Sequence, residues 1–161
     1  MPEESEDSDP WALLRPLVGT WEGTGGGLPG EGTEEMDCEF VLQDKFLRIR
    51  NRSRYEPQEK NPEGEVHEDW GIISRDTNRD TFVLREFHVE GYVNQYALDH
   101  VSEDGNTLVF LTESLENVPD DWRGRETFRF IGTDEFKNTF ELARPGEDFK
   151  VYVETRLRRR A

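Results

Sequence analysis

GTWEGTGGGLPG, residues Gly19 to Gly30, sets a glycine or Trp21 at every second position from 19 to 27. Successive side chains of a strand point to opposite faces, so one face of this segment is nearly bare. A bare face permits sharp coiling, close approach of another backbone, or room for a flat ligand. The run alone leaves these three readings open. Trp21 is expected to close the floor of a barrel, with an arginine of the last strand stacked on it.

Upstream, Asp9-Pro10 reads as a helix start, with Asp at the N-cap and Pro at the first helical position. Trp11, Leu13, Leu14 and Leu17 then place an apolar stripe on one short helix, which Pro16 limits to about two turns. Such a helix is well placed to plug one end of a barrel. Residues 1–8 are acidic and polar and are expected to be disordered, leaving 9–161 as a single domain.

Downstream, short alternating runs separated by turn residues continue to the end. They predict strands near 18–27, 33–42, 45–55, 65–74, 80–89, 91–99, 106–114, 122–131, 136–143 and 149–159. The turns carry the expected chemistry, as in Glu90-Gly91, Glu103-Asp104-Gly105-Asn106 and Arg144-Pro145-Gly146-Glu147. Strands in this number, with short loops and no helices between them, predict an all-β, antiparallel up-and-down meander. Closure into a barrel removes the two edges that an open sheet would expose. Two longer connections, 56–64 and 116–121, are read as surface loops, either of which can rim a cavity mouth.

Composition bounds the function. The 161 residues suffice for one domain, and hydrophobic content of 33% requires an economical core, much of it from ten Phe, four Trp and four Tyr. A formal charge of −16 argues against nucleic acid and against anionic membranes as partners. With one cysteine there is no internal disulfide, and Cys38, in the alternating run MDCEFVL, reads as a small apolar strand residue. No stretch is long and apolar enough for a membrane helix, and the acidic N-terminus lacks signal-peptide character, so a cytoplasmic protein is expected.

The pattern Gly19-x-Trp21-x-Gly23-x-Gly25-x-Gly27-x-Pro29 resembles the opening strand of the nitrobindin-like family, haem-binding barrels of the lipocalin-like (calycin) kind related in shape to fatty-acid-binding proteins. His67-Glu68-Asp69-Trp70-Gly71 resembles the family's H-x-E-x-G segment at His67 and Gly71, with Asp69 in place of Glu. The family's closing H-L-x-A-x-L-x-R aligns with Tyr152–Arg159, where Leu157 and Arg159 match, Thr155 replaces Ala and Tyr152 replaces the proximal His. The resemblance therefore implies a barrel with an internal cavity. It implies haem only if Tyr152 serves as axial ligand, for which Arg156 or Arg158 would have to lower its pKa.

Strand parity raises a question at the same place. Val151, Val153 and Leu157 are opposite in phase to Tyr152, so either a bulge changes the phase or the lumen is polar and the valines pack outward, where they would form a homodimer interface. On the third strand Arg48, Arg50, Arg52 and Arg54 alternate with Leu47, Ile49, Asn51, Ser53 and Tyr55. They form a solvated face or place one guanidinium in the lumen to receive a carboxylate or phosphate. His67 is in phase with Asp69, and His88 with Phe82, Leu84 and Glu86, a pattern that allows a metal or acid–base cluster as well as ordinary core histidines; His100 ends a strand and is expected to be exposed. No nucleophile elbow, phosphate-binding loop or dinucleotide fingerprint is present. The leading expectation is a small-molecule-binding barrel for a hydrophobic or amphipathic ligand, its lumen lined by Trp21, His67, Trp70, His88, Tyr96 and Tyr152. The alternatives are a haem protein acting on nitrogen oxides or peroxide, and a barrel enzyme with a His/carboxylate pair. No catalytic or metal-ligating residue is assigned.

Overall fold

A computed structural model describes residues 8–160. The expectation of disorder at the N-terminus falls, for residues 1–7, outside the described residues. Ten strands run β1 (Gly19–Gly27), β2 (Gly32–Val41), β3 (Phe46–Tyr55), β4 (Glu65–Asp76), β5 (Thr81–His88), β6 (Val93–Val101), β7 (Thr107–Glu116), β8 (Arg123–Phe130), β9 (Glu135–Ala143) and β10 (Lys150–Arg159). Each pairs antiparallel with its sequence neighbours, and β10 returns to β1 to close the barrel. This is the predicted meander; the sixth and seventh strands start and end one or two residues later than their runs suggested.

The N-terminal segment plugs one end, though as tight turns rather than a two-turn helix. Asp9 accepts the Trp11 amide at 3.0 Å, and the only regular piece among the described residues is a 3-10 turn at Arg15–Leu17. Pro16 is the reason: it lacks an amide and crowds the preceding turn, so Leu17 and Val18 bond three residues back, to Leu14 and Arg15. The plug still works. Trp11, Leu14 and Leu17 are buried; Trp11 packs edge-on against Phe40 at 5.3 Å and, tilted, against Phe82 at 5.1 Å.

Above the plug, the inward side chains change character along each strand. On β3 they pass from Leu47 and Ile49 to Asn51 and Ser53; on β4 from Ile73 to Asp69 and His67; on β5 from Phe82 and Leu84 to Glu86 and His88. On β8 Phe128 gives way to Glu126, and on β10 Leu157 to Thr155. The half next to the plug is therefore a dry core, and the half at the open end is polar.

The bare face of β1 serves close approach. A Cβ at Gly23, Gly25 or Gly27 would lie 1.9, 2.5 or 2.1 Å from the carbonyl oxygen of Arg156, Glu154 or Tyr152 on β10. Trp21 is fully buried at the plugged end, donates to the Leu17 carbonyl at 2.8 Å and carries Arg159 over its ring at 4.2 Å. The expected floor and its arginine stack are thus both present.

Candidate functional site

The open end leads into a cavity of about 400 Å³. Its wall is built by register. Asn51 pairs with Asp69 and Asp69 with His88, so three inward side chains stand side by side on β3, β4 and β5. His67 lies one inward position further toward the mouth, opposite Ser53. Glu34, Glu86, Asn94, Tyr96, Glu126, Asn138 and Thr155 complete the polar depth, while Tyr92, Trp122, Phe140 and Tyr152 bound the upper part. Asn117, Val118 and Pro119 rim the mouth, so the 116–121 connection is a rim loop. The 56–64 connection contributes no residue to the lining and packs instead on the turn between β1 and β2, with Asn61 donating to the Pro29 carbonyl at 3.1 Å.

His67 is held from two sides, by Glu90 at 2.7 Å from Nδ1 and by Asp69 at 3.2 Å from Nε2. Burial alone would lower its pKa; the hydrogen bonds to Asp69 and Glu90 outweigh that and lift it to about 9. His88 Nδ1 faces His67 Nε2 at 3.3 Å. Burial, helped by the charge on His67, holds His88 below its usual value. The Asn51 amide donates to the other Asp69 oxygen at 3.0 Å. Glu90, Asp69 and His88 thus all meet at His67, in a hydrogen-bonded cluster able to hold a proton at its centre.

Three glutamates in the depth are pushed toward their neutral form. Burial, with the nearby Asp69 charge, raises Glu34 to about 7 and Glu86 to about 8. Burial and the Glu86 charge raise Glu126 well above the ordinary range. Asn138 donates to Glu126 at 2.6 Å, while Oε2 of Glu34 is buried with no partner. No Lys or Arg lines the cavity.

The elevated Glu34 pKa has a measurable consequence. Its folded value lies above the ordinary 4.5, so the stability it contributes is complete below pH 4.5 and lost as pH rises through 7. The shift corresponds to about 3 kcal/mol between acidic and alkaline conditions. The charges facing it are Asp69, which opposes ionisation, and His67, which favours it. Urea denaturation from pH 4 to pH 9 is expected to show Glu34→Gln gaining on the parent chain by about 3 kcal/mol across that range. A constant difference would refute the assignment.

Of the residues expected in the lumen, His67, His88, Tyr96 and Tyr152 line the cavity. Trp21 lies beyond it in the dry core. Trp70 is a correction: it is 51% exposed on the outer face, with Arg48 5.7 Å from its ring. Alternation requires this, because Trp70 has the opposite parity to His67 and Asp69. The arginines of β3 also face outward, where Arg48, Arg50 and Arg52 pair with Glu39, Asp37 and Glu68. They form the solvated face, and none reaches the lumen. Glu34, Glu126, Asn51 and Asn138 were not singled out from the sequence, and Glu86 was noted there only as in phase with His88. Their shared inward parity with apolar residues lower on the same strands was the available signal.

Tyr152 reaches the cavity through a bulge. Val151 pairs with Glu141 and Val153 with Phe140, leaving Tyr152 as the extra residue, with its ring 5.9 Å from Phe140. Its surroundings do not suit a haem ligand. Burial and the carboxylates of Glu65 and Glu90 raise its pKa, whereas a phenolate ligand needs a cation to lower it. Arg156 and Arg158, expected to serve, instead point outward to Glu135 at 2.8 and 3.6 Å. With no Lys or Arg in the lining to meet propionates either, Tyr152 and its surroundings do not fit haem.

No family model and no curated protein sequence matches the chain. Among solved structures, it is similar to the crystal structure of Rv2717c from M. tuberculosis, at TM-score 0.70 and 18% identity over 96% of this chain and 99% of that one. A redesigned β-barrel aligns at TM-score 0.44 and 12% identity over 91% and 93% of the two chains. The first likeness supports the closed barrel and, at that identity, the fold alone. No helix among the described residues is long and apolar enough to cross a membrane.

Proposed function

We propose that this chain is a small-molecule-binding barrel of the calycin kind that takes an amphipathic ligand, its hydrogen-bond-donating or basic head down and its apolar body at the mouth. The observation that carries this reading is the sorting of the cavity wall. Buried carboxyl groups of Glu34, Asp69, Glu86 and Glu126 lie in the depth, and Tyr92, Trp122, Phe140 and Tyr152 stand above them. Several carboxyl groups in one cavity, one of them with an unpartnered oxygen, cost folding free energy without a ligand. A cationic head would be stabilised there, and an anionic one repelled, since no Lys or Arg lines the wall.

Octylamine and octanoate share a chain and differ in head charge, so they separate the two cases. Titration calorimetry is expected to show octylamine binding at least about tenfold tighter, a difference of about 1.4 kcal/mol. Octanoate binding as tightly, or neither binding, would overturn the reading. A second reading, acid–base catalysis, draws on the convergence of His67 with Asp69 and Glu90 at hydrogen-bond distance. It requires a reacting substrate within reach of His67, and His67→Gln would then abolish turnover while leaving binding of the amine intact.

A further inference from the structure

From the geometry of the cavity wall we infer a divalent transition-metal site formed by His67 Nε2, His88 Nδ1 and Asp69 Oδ2, open toward the cavity. The inference does not rest on the ligand reading above, with which it shares only Asp69. His67 Nε2 lies 3.2 Å from Asp69 Oδ2 and 3.3 Å from His88 Nδ1. The ligating atoms of the three residues all lie within 4.8 Å of one another. Bonds of about 2.0–2.1 Å place neighbouring ligand atoms of a tetrahedral zinc site about 3.3 Å apart, so the two edges that meet at His67 Nε2 already have the right length and the third lies within 4.8 Å.

The partners outside this set point the same way. A metal-bound imidazole ordinarily donates its other N–H to a carboxylate, which fixes the tautomer. Glu90 accepts from His67 Nδ1 at 2.7 Å and so leaves Nε2 for the inner position. A ligating carboxylate is ordinarily hydrogen-bonded in turn, and Asn51 donates to Asp69 Oδ1 at 3.0 Å. The two facing ring nitrogens, 3.3 Å apart, cannot both carry a proton toward each other; they share one proton or one metal ion. A donor set of two imidazoles and one carboxylate suits zinc, cobalt(II) or iron(II) rather than calcium or magnesium, which prefer oxygen. The remaining coordination positions face the cavity, where water or a ligand with a lone pair would enter.

A rival grouping shares His67. Glu65, His67 and Glu90 also converge, at the outer edge of the mouth. Titration of the chelator-treated full chain with Co²⁺ and Zn²⁺ separates the possibilities. The expected result is one equivalent bound at micromolar or lower Kd, with Co²⁺ giving the intense visible bands of a low-coordinate site. His88→Ala and Asp69→Asn should each weaken binding by about 100-fold and Glu90→Gln by about tenfold, with Glu65→Gln unchanged. Circular dichroism melts of each variant establish that the loss is not unfolding. Asn51→Ala, which alters only the support of Asp69, gives a second reading should a ligand variant fail to fold, and about a tenfold loss is expected. Absence of stoichiometric binding, or loss in Glu65→Gln with retention in His88→Ala, would overturn the inner site.

Discussion

Gly23→Ala is expected to unfold the barrel or to cost more than about 4 kcal/mol, a loss reserved for a few identifiable mechanisms. Here the mechanism is collision of backbone with side chain at the closing seam. The added Cβ would lie 1.9 Å from the Arg156 carbonyl oxygen, 2.8 Å from its carbon and 3.0 Å from the Leu157 Cα. None of these is the tip of a flexible side chain. Relief requires β1 and β10 to separate, and their hydrogen bonds are the ones that close the sheet. Gly26→Ala, one residue from Gly25 and Gly27 but on the opposite face, meets nothing nearer than Glu31 Cγ at 3.7 Å and is expected to stay within about 0.5 kcal/mol of the parent. Urea denaturation of the two variants provides the comparison. Equal stabilities would show that the glycines are not there for close approach.

Trp21→Ala is expected to cost about 3–5 kcal/mol, the range for deleting a large aromatic from a packed core. Trp21 meets Phe136 edge-on at 4.7 Å, and its indole satisfies the Leu17 carbonyl of the plug. Its other face carries the Arg159 guanidinium, which also donates to the Val18 carbonyl at 2.6 Å. Truncation therefore leaves a void, an unpaired buried carbonyl and a cation without its ring, all at the junction of plug, first strand and last strand. Trp21→Phe keeps most of the volume and should recover all but about 1–2 kcal/mol, the cost of the lost hydrogen bond. A loss under about 1 kcal/mol for the alanine variant, in the same denaturation series, would contradict this account.

The site was less legible than the seam. His67 and Asp69 share a parity, as do His88 and Glu86, so each pair could be read as one-sided from the strand alone. That the two pairs meet depends on the pairing of Asp69 with His88, a register between β4 and β5 set by the whole sheet. Trp70 shows the opposite failure: its size suggested a cavity wall, and its parity, already visible in the sequence, placed it outside. Among 36 acidic residues, the only local mark of Glu34, Glu86 and Glu126 is a parity shared with apolar residues of their own strands, and it does not show how deeply each is buried. Their neutral tendency is a property of burial, which a residue acquires from its neighbours in space.

Turn chemistry and the two-residue period, both properties of neighbours along the chain, determined the ten-strand meander. Gly19–Gly27 likewise marked an unusual first strand and placed Trp21 at the barrel floor. Only the tertiary structure chose among the three uses of its bare face, because the obstructing carbonyls of Arg156, Glu154 and Tyr152 lie more than a hundred residues away. It also decided the phase at Tyr152, since a bulge exists only relative to the strand it fails to match. The meander follows from local preference; the cavity and its cluster follow from closure, which brings β10 to β1 and sets every inward row against the next.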